Sequence, residues 1–175
     1  MDDFLNGAEI DDIRLIDLKD GSVQSGWGPE HKSYLIIFFP KAFTPVCKSE
    51  LGAINQWQEE FNKLGIEIIA GSIDHEEDIL NWFDTDETLR GSTYKLVRSE
   101  KLPDALDLIR FDGSLKRASV FFTIDKNDQY ELVSMEHFNK VGRSMEELHR
   151  MAWGWSTGEY CTQGWNSPAD GFLKK

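Results

Sequence analysis

Residues 34 to 72 limit the fold more tightly than any other stretch of the chain. An apolar run, YLIIFF (Tyr34 to Phe39), ends at Pro40, and a second, IEIIAGS (Ile66 to Ser72), follows Gly65. Short runs rich in β-branched and aromatic residues fit strands buried on both faces. Between them, Thr44 and Pro45 form a helix-start signal, because a threonine oxygen can accept an orphan N–H and proline is tolerated at the first helical position. Apolar residues then recur at helical spacing as Leu51, Ile54, Trp57, Phe61 and Leu64, and Gly65 supplies a left-handed stop. Strand, helix, strand in this order requires parallel strands joined by a right-handed crossover. The chain is therefore an α/β protein, and open sheets of this kind carry their sites at the carboxyl ends of the strands.

Cys47 falls in the first turn of that helix, near the carboxyl end of the first strand. Unpaired N–H groups and the positive end of the helix dipole favour a thiolate there, which makes Cys47 a candidate nucleophile. It also leads the apolar stripe, and free cysteine is among the most buried residue types. On the residues alone, both readings stand.

The remaining segments add to the sheet. IDDIRLIDLKDGSVQ, from Ile10 to Gln24, alternates apolar and charged pieces around an Asp-Gly turn, as an edge hairpin or an irregular entry strand does. GWGPEH (26–31) reads as a loop with Trp27 as a packing residue. HEEDILNWF (75–83) reads as a short amphipathic helix with Asp74 as its cap. It is not a metal site, because position 79 is isoleucine and the i, i+4 histidine pair of H-E-x-x-H is missing. DTDETLRGST (84–93) reads as a polar loop, and Leu102 to Ile109 as a short helix. RASVFFTID (117–125), the turn KND and a strand from Gln129 to Met135 form a hairpin. Ser144 followed three residues on by Glu147 is a capping-box pattern, which predicts a helix with Met145, Leu148, Met151, Ala152 and Trp155 as its apolar stripe. The glycine-rich tail, 156–175, is expected to be irregular and mobile.

A chain of 175 residues, 40% hydrophobic, is long enough for one domain with a substantial core, here residues 1–175. Its net charge of −12 repels phosphate backbones and anionic lipid, so neither nucleic acid nor a membrane is an expected partner. The N-terminal MDDFLNGAEIDDIRL lacks the basic start and apolar run of a signal peptide, and no segment reaches membrane-span length; a cytoplasmic location is expected. Two cysteines do not make a disulfide scaffold, and a thiol pair in such a chain points to redox or catalytic use.

Pro40, Thr44 and Cys47 stand at the spacing P-x-x-x-T-x-x-C, within FFPKAFTPVCKSEL. This resembles the active-site signature of the peroxiredoxins, thioredoxin-fold cysteine peroxidases of the alkyl hydroperoxide reductase C and thiol-specific antioxidant type. The resemblance implies a thioredoxin-like fold, a central mixed sheet flanked by helices. It implies Cys47 as the peroxidatic cysteine, a Thr44 hydroxyl in the peroxide site and Pro40 as a shield against water. RASVFFTID resembles the strand that begins with the family's active-site arginine, which makes Arg117 that residue. VGRS resembles the entry to the last helix, and it implies a network of Arg143, Arg117 and Glu50. GEYC followed by GW resembles the segment around the resolving cysteine of typical two-cysteine members, which assigns that role to Cys161, reaching across to a partner subunit. No cofactor and no metal are implied.

The implied reaction is attack of Cys47 on hydrogen peroxide or an organic hydroperoxide, a sulfenic acid, and an intersubunit disulfide with Cys161 that an external dithiol reduces. A free thiol titrates at about 8.5, and a helix start with a nearby cation lowers it by one or more units. The implied partners are the peroxide, a thioredoxin-like or flavoprotein disulfide reductant, and a second copy, as a homodimer or a ring of dimers such as a decamer. T-x-x-C in place of C-x-x-C leaves no disulfide to close inside the motif, which disfavours disulfide isomerase chemistry. Two alternatives stay open: a one-cysteine peroxidase resolved by an external thiol, whose branch the TPVC wording resembles, and a redox sensor or holdase chaperone.

Overall fold

The computed structural model describes residues 11–27, 32–127 and 129–174. Among them, seven strands form one sheet: β1 (Arg14–Asp17), β2 (Ser22–Ser25), β3 (Ser33–Phe38), β4 (Ile66–Ser72), β5 (Lys95–Arg98), β6 (Ala118–Ile124) and β7 (Tyr130–Glu136). Their order across the sheet is β2-β1-β5-β4-β3-β6-β7. The helices are α1 (Pro45–Lys63), α2 (Glu76–Thr85), α3 (Lys101–Ala105) and α4 (Met145–Thr157). Ile10, residues 28–31 of the loop after Trp27, and Asp128 of the KND turn lie outside the described residues.

β3 and β4 run parallel, as the strand-helix-strand pattern requires, while β3 and β6 are antiparallel, so the sheet is mixed. β3 lies at its centre, and its alternating side chains feed two cores. Leu35, Ile37 and Phe39 face α1, α2 and α4 together with Ile68, Ala70 and Phe121. Tyr34, Ile36 and Phe38 face the opposite side with Val120, Phe122, Leu102 and Leu115. This is why the segment reads as an unbroken apolar run: neither face meets water. Where β3 and β4 pair at Phe38 and Gly71, a Cβ on Gly71 would lie 2.5 Å from the Phe38 ring, so only glycine fits. Gly65 adopts φ 73° and ends α1, donating its N–H to the Asn62 carbonyl.

The edge hairpin forms as β1 and β2, and Trp27 packs edge-on against Tyr34 and Phe122. Ser144 caps α4 by accepting the Glu147 N–H at 3.2 Å. The helix expected over 102–109 is shorter and starts earlier, and β5, which has no counterpart in the sequence reading, fills the space between β1 and β4.

One expectation is corrected. Asp74 does not cap α2: His75 holds that position without a side-chain bond, and the Asp74 carboxylate turns to the β3–α1 loop instead. The tail is irregular, as its composition demands, but it is folded back onto the protein. Trp165 is fully buried, its carbonyl accepts Arg150 Nη1 at 2.8 Å, and Tyr160 bridges to Leu173. The buried ring of Trp165 packs edge-on against Trp153 of α4, and the two backbone contacts add to it.

Candidate active site

α1 begins beside the carboxyl end of β3, and its first two turns carry Cys47 and Glu50 on one buried face. Residues three apart on a helix are neighbours, so the thiol and the carboxylate point the same way. Opposite them, Arg117 precedes β6, and Arg143 precedes α4. Because β6 lies next to β3 in the sheet, Arg117 arrives at the start of α1 despite its distance in sequence.

The Arg117 guanidinium divides its donors. Nη2 points at Cys47 Sγ at 3.5 Å, Nη1 bonds Glu50 Oε2, and Nε and Nη2 donate to the Asn139 carbonyl at 3.2 and 2.9 Å. Arg143 grips both oxygens of Glu50, Nε to Oε1 at 2.9 Å and Nη2 to Oε2 at 2.9 Å. Its backbone N–H adds a bond of 2.7 Å to Oε1, and Nη1 donates to the Ala118 carbonyl at 2.6 Å. Glu50 and Arg117 are each 2% exposed. Burial pulls the Arg143 guanidinium below its ordinary range, and the bonds and charge of Glu50 oppose that shift. Two guanidinium groups against one carboxylate leave this buried cluster with one positive charge beside the sulfur. An anion at Cys47 would balance it, and hydrogen bonds between ionised groups are about twice as strong as neutral ones.

The expected network of Glu50, Arg117 and Arg143 is thus present around Cys47. Cys47 also sits in the apolar core with Leu51, Ile54 and Phe61, as the core reading expects. Thr44 occupies the N-cap with extended backbone, but its hydroxyl does not cap the helix; it donates to the Lys41 carbonyl at 2.9 Å. Pro40 is half-buried at the end of β3.

Cys161 is not brought to Cys47 within the chain, and both thiols are free. It lies against α4, where a Cβ on Gly154 would stand 3.4 Å from Sγ, and it faces the Glu159 carbonyl at 3.7 Å.

Three contributors escaped the sequence reading. The Asn139 carbonyl orients Arg117, and a backbone acceptor leaves no residue signature. His137 sits behind the cluster, its backbone N–H on the Arg117 carbonyl at 2.7 Å and its ring Nε2 3.0 Å from Ser119 Oγ. Burial, then the charges of Arg143 and Arg117, hold its imidazole below the ordinary value, against an opposing pull from Glu50. Asp74 accepts the Ala42 N–H at 2.6 Å; its position just before a helix hid this role behind that of a cap.

The model of the AhpC/TSA family matches residues 7–128. The chain belongs to this family. It is therefore a peroxiredoxin-type enzyme, a thiol-dependent peroxidase. Alkyl hydroperoxide reductase C of Mycolicibacterium smegmatis is 30% identical over 138 residues, 78% of this chain and 69% of that protein. A peroxiredoxin of Cynops pyrrhogaster is 28% identical over 173 residues, 94% of this chain and 80% of that protein. The reduced 2-Cys peroxiredoxin of Plasmodium vivax superposes with a TM-score of 0.79 at 21% identity, over 95% of this chain and 89% of that one. Mycobacterium tuberculosis AhpC superposes with a TM-score of 0.73 at 22% identity, over 88% and 92%. The fold is that of the thioredoxin-like peroxiredoxins. No helix among the described residues is long and apolar enough to cross a membrane.

Proposed function

We propose that this peroxiredoxin reduces hydrogen peroxide and organic hydroperoxides at Cys47 by a two-cysteine mechanism that ends in a Cys47–Cys161 disulfide between subunits. The observation that carries the reading is the approach of Arg117 Nη2 to Cys47 Sγ at 3.5 Å, on a guanidinium locked by Glu50 and the Asn139 carbonyl. Such a preset cation meets charge on sulfur and on the oxygen that departs without reorganising during the reaction.

Cys47 Sγ attacks one peroxide oxygen, the O–O bond breaks, and the sulfur keeps a hydroxyl as sulfenic acid. The other oxygen leaves as water or alcohol after taking a proton. Thr44 has committed its own proton to the Lys41 carbonyl, so its oxygen is left to accept a hydrogen bond from the peroxide O–H. Pro40, at the strand end, keeps water from the sulfur. The Cys161 thiol of a second subunit then displaces the hydroxyl as water, forming the disulfide. For this step the segment after α4 leaves its seat against Gly154 and draws Trp165 out of its buried site. A thioredoxin-like or flavoprotein dithiol restores both thiols. The unit at work is one thioredoxin-like domain, in a cytoplasmic homodimer or a ring of such dimers.

The test is one equivalent of hydrogen peroxide on the reduced protein, followed by a non-reducing gel and intact mass, for wild type, Cys47→Ser and Cys161→Ser. A covalent dimer in wild type, absent in both variants, is expected. A wild type that stops at a monomeric Cys47 sulfenic acid, with Cys161→Ser keeping full turnover, overturns the two-cysteine scheme in favour of an external resolving thiol.

A further inference from the structure

The loop between β3 and α1 carries Pro40 and Thr44 and delivers Cys47, and several of its polar groups find partners in the fold. The Phe39 N–H continues the sheet ladder to the Gly71 carbonyl at 3.1 Å. Pro40 has no N–H. The Thr44 hydroxyl takes the Lys41 carbonyl, and the Thr44 carbonyl accepts the Lys48 N–H at 3.0 Å. Between these, Ala42 is 5% exposed, and its N–H reaches past the end of β4 to Asp74 Oδ2 at 2.6 Å.

Asp74 is itself held at three points, one on the carboxylate and two on the backbone: the buried Ser72 hydroxyl donates to Oδ2 at 3.2 Å, the Asp74 N–H donates to Ser72 Oγ at 3.0 Å, and Arg98 Nε donates to the Asp74 backbone carbonyl at 3.1 Å. The residue after Ala42 is Phe43, at φ 60°, a left-handed conformation that side-chain-bearing residues rarely adopt. Strained backbone persists only where its surroundings over-determine it. Here the anchor immediately before the strained residue is a charged acceptor, stronger than a neutral one.

We propose that Asp74 is a positioning residue for the peroxide reaction: by holding the Ala42 N–H it sets the left-handed turn at Phe43, and with it the placement of Thr44 relative to Cys47. The inference rests on the reading of Cys47 as the peroxide-reacting thiol. Asp74 touches neither sulfur nor substrate, and its effect falls on orientation of the O–O bond rather than on the sulfur's nucleophilicity. Displacement of a reacting group by about 1 Å costs on the order of 100-fold in rate.

The experiment compares wild type, Asp74→Asn and Asp74→Ala in two single-turnover reactions of Cys47, with hydrogen peroxide and with iodoacetamide, alongside thermal unfolding of each. Alkylation needs only a nucleophilic sulfur; peroxide reduction needs the oriented site as well. For Asp74→Ala the peroxide rate constant should fall about 10- to 100-fold while alkylation changes less than about threefold. Asp74→Asn, which keeps an oxygen acceptor, should recover most of the loss, and it carries the test should Asp74→Ala fail to fold. Parallel losses in both reactions, a wild-type peroxide rate in the alanine variant, or a folded asparagine variant as slow as the alanine one overturns the proposal. A wild type whose Cys47 alkylates but ignores peroxide removes the underlying reading instead, and the positioning role with it.

Discussion

Replacing Glu50 with glutamine tests the charge logic of the site. The carboxylate accepts Arg117 Nη1, Arg143 Nε, Arg143 Nη2 and the Arg143 backbone N–H, and all three residues are almost completely shielded from water. Glutamine keeps the shape, removes the negative charge, and turns one oxygen into a donor facing a donor. Two buried guanidinium groups then share no counter-charge, and breaking a buried pair by removing one partner costs about 3–5 kcal/mol. With a urea dependence of roughly 2 kcal/mol per molar for a domain of this size, the unfolding midpoint should fall by about 1.5–2.5 M, measured at fixed protein concentration because assembly also stabilises the fold. The Cys47 peroxide rate should fall too, since Arg117 loses the bond that aims it. Adding Arg143→Met to Glu50→Gln should cost less than the sum of the two single changes, because the second removes a cation the first left unpaired. A Glu50→Gln loss under about 1 kcal/mol, or strict additivity in the double variant, would refute the view that these charges are held as one unit.

Two further changes probe the surroundings. Tyr94 is buried, which pushes its phenol up, and its hydroxyl donates to the Leu51 carbonyl at 2.9 Å; Tyr94→Phe should cost about 1 kcal/mol, a fall in Tm of roughly 2–4 °C by calorimetry, and an unchanged Tm would count against the bond. His137 is held neutral below its ordinary value of 6.5, so the unfolded chain binds a proton that the folded one refuses. Stability from this residue is present above about pH 6.5 and is lost as pH falls through that value toward the folded pKa. Urea midpoints between pH 7.5 and 5.5 should therefore decline more steeply for wild type than for His137→Asn, and equal slopes would remove His137 as the cause.

The features legible in the sequence were those encoded by near neighbours along the chain. The apolar runs of β3 and β4, the stripe from Leu51 to Phe61, the stop at Gly65 and the Ser144 cap each depend on residues within a turn or on a period of two, and the structure keeps them. The placement of Cys47 in a first helical turn followed from Thr44 and Pro45 alone, and the peroxiredoxin resemblance could name Arg117, Arg143 and Glu50.

Which groups meet was decided by the tertiary structure. Arg117 lies 67 positions from Glu50 and Arg143 lies 93, and they converge because β6 pairs with β3, which is distant in sequence, on one side and with its hairpin partner β7 on the other. The same is true of the smaller surprises. Thr44 reads locally as a cap, yet its hydroxyl goes to a loop carbonyl; Asp74 reads as a cap, yet it serves a loop that enters from the neighbouring strand; the tail reads as loose, yet Trp165 finds a buried seat on α4. A polar side chain takes whichever partner the packed structure leaves within reach, because an unmade bond in a buried site costs more than any local preference. Hydrophobic periodicity and capping chemistry thus set the elements and the position of the thiol, while the order of strands in the sheet set its electrostatic environment.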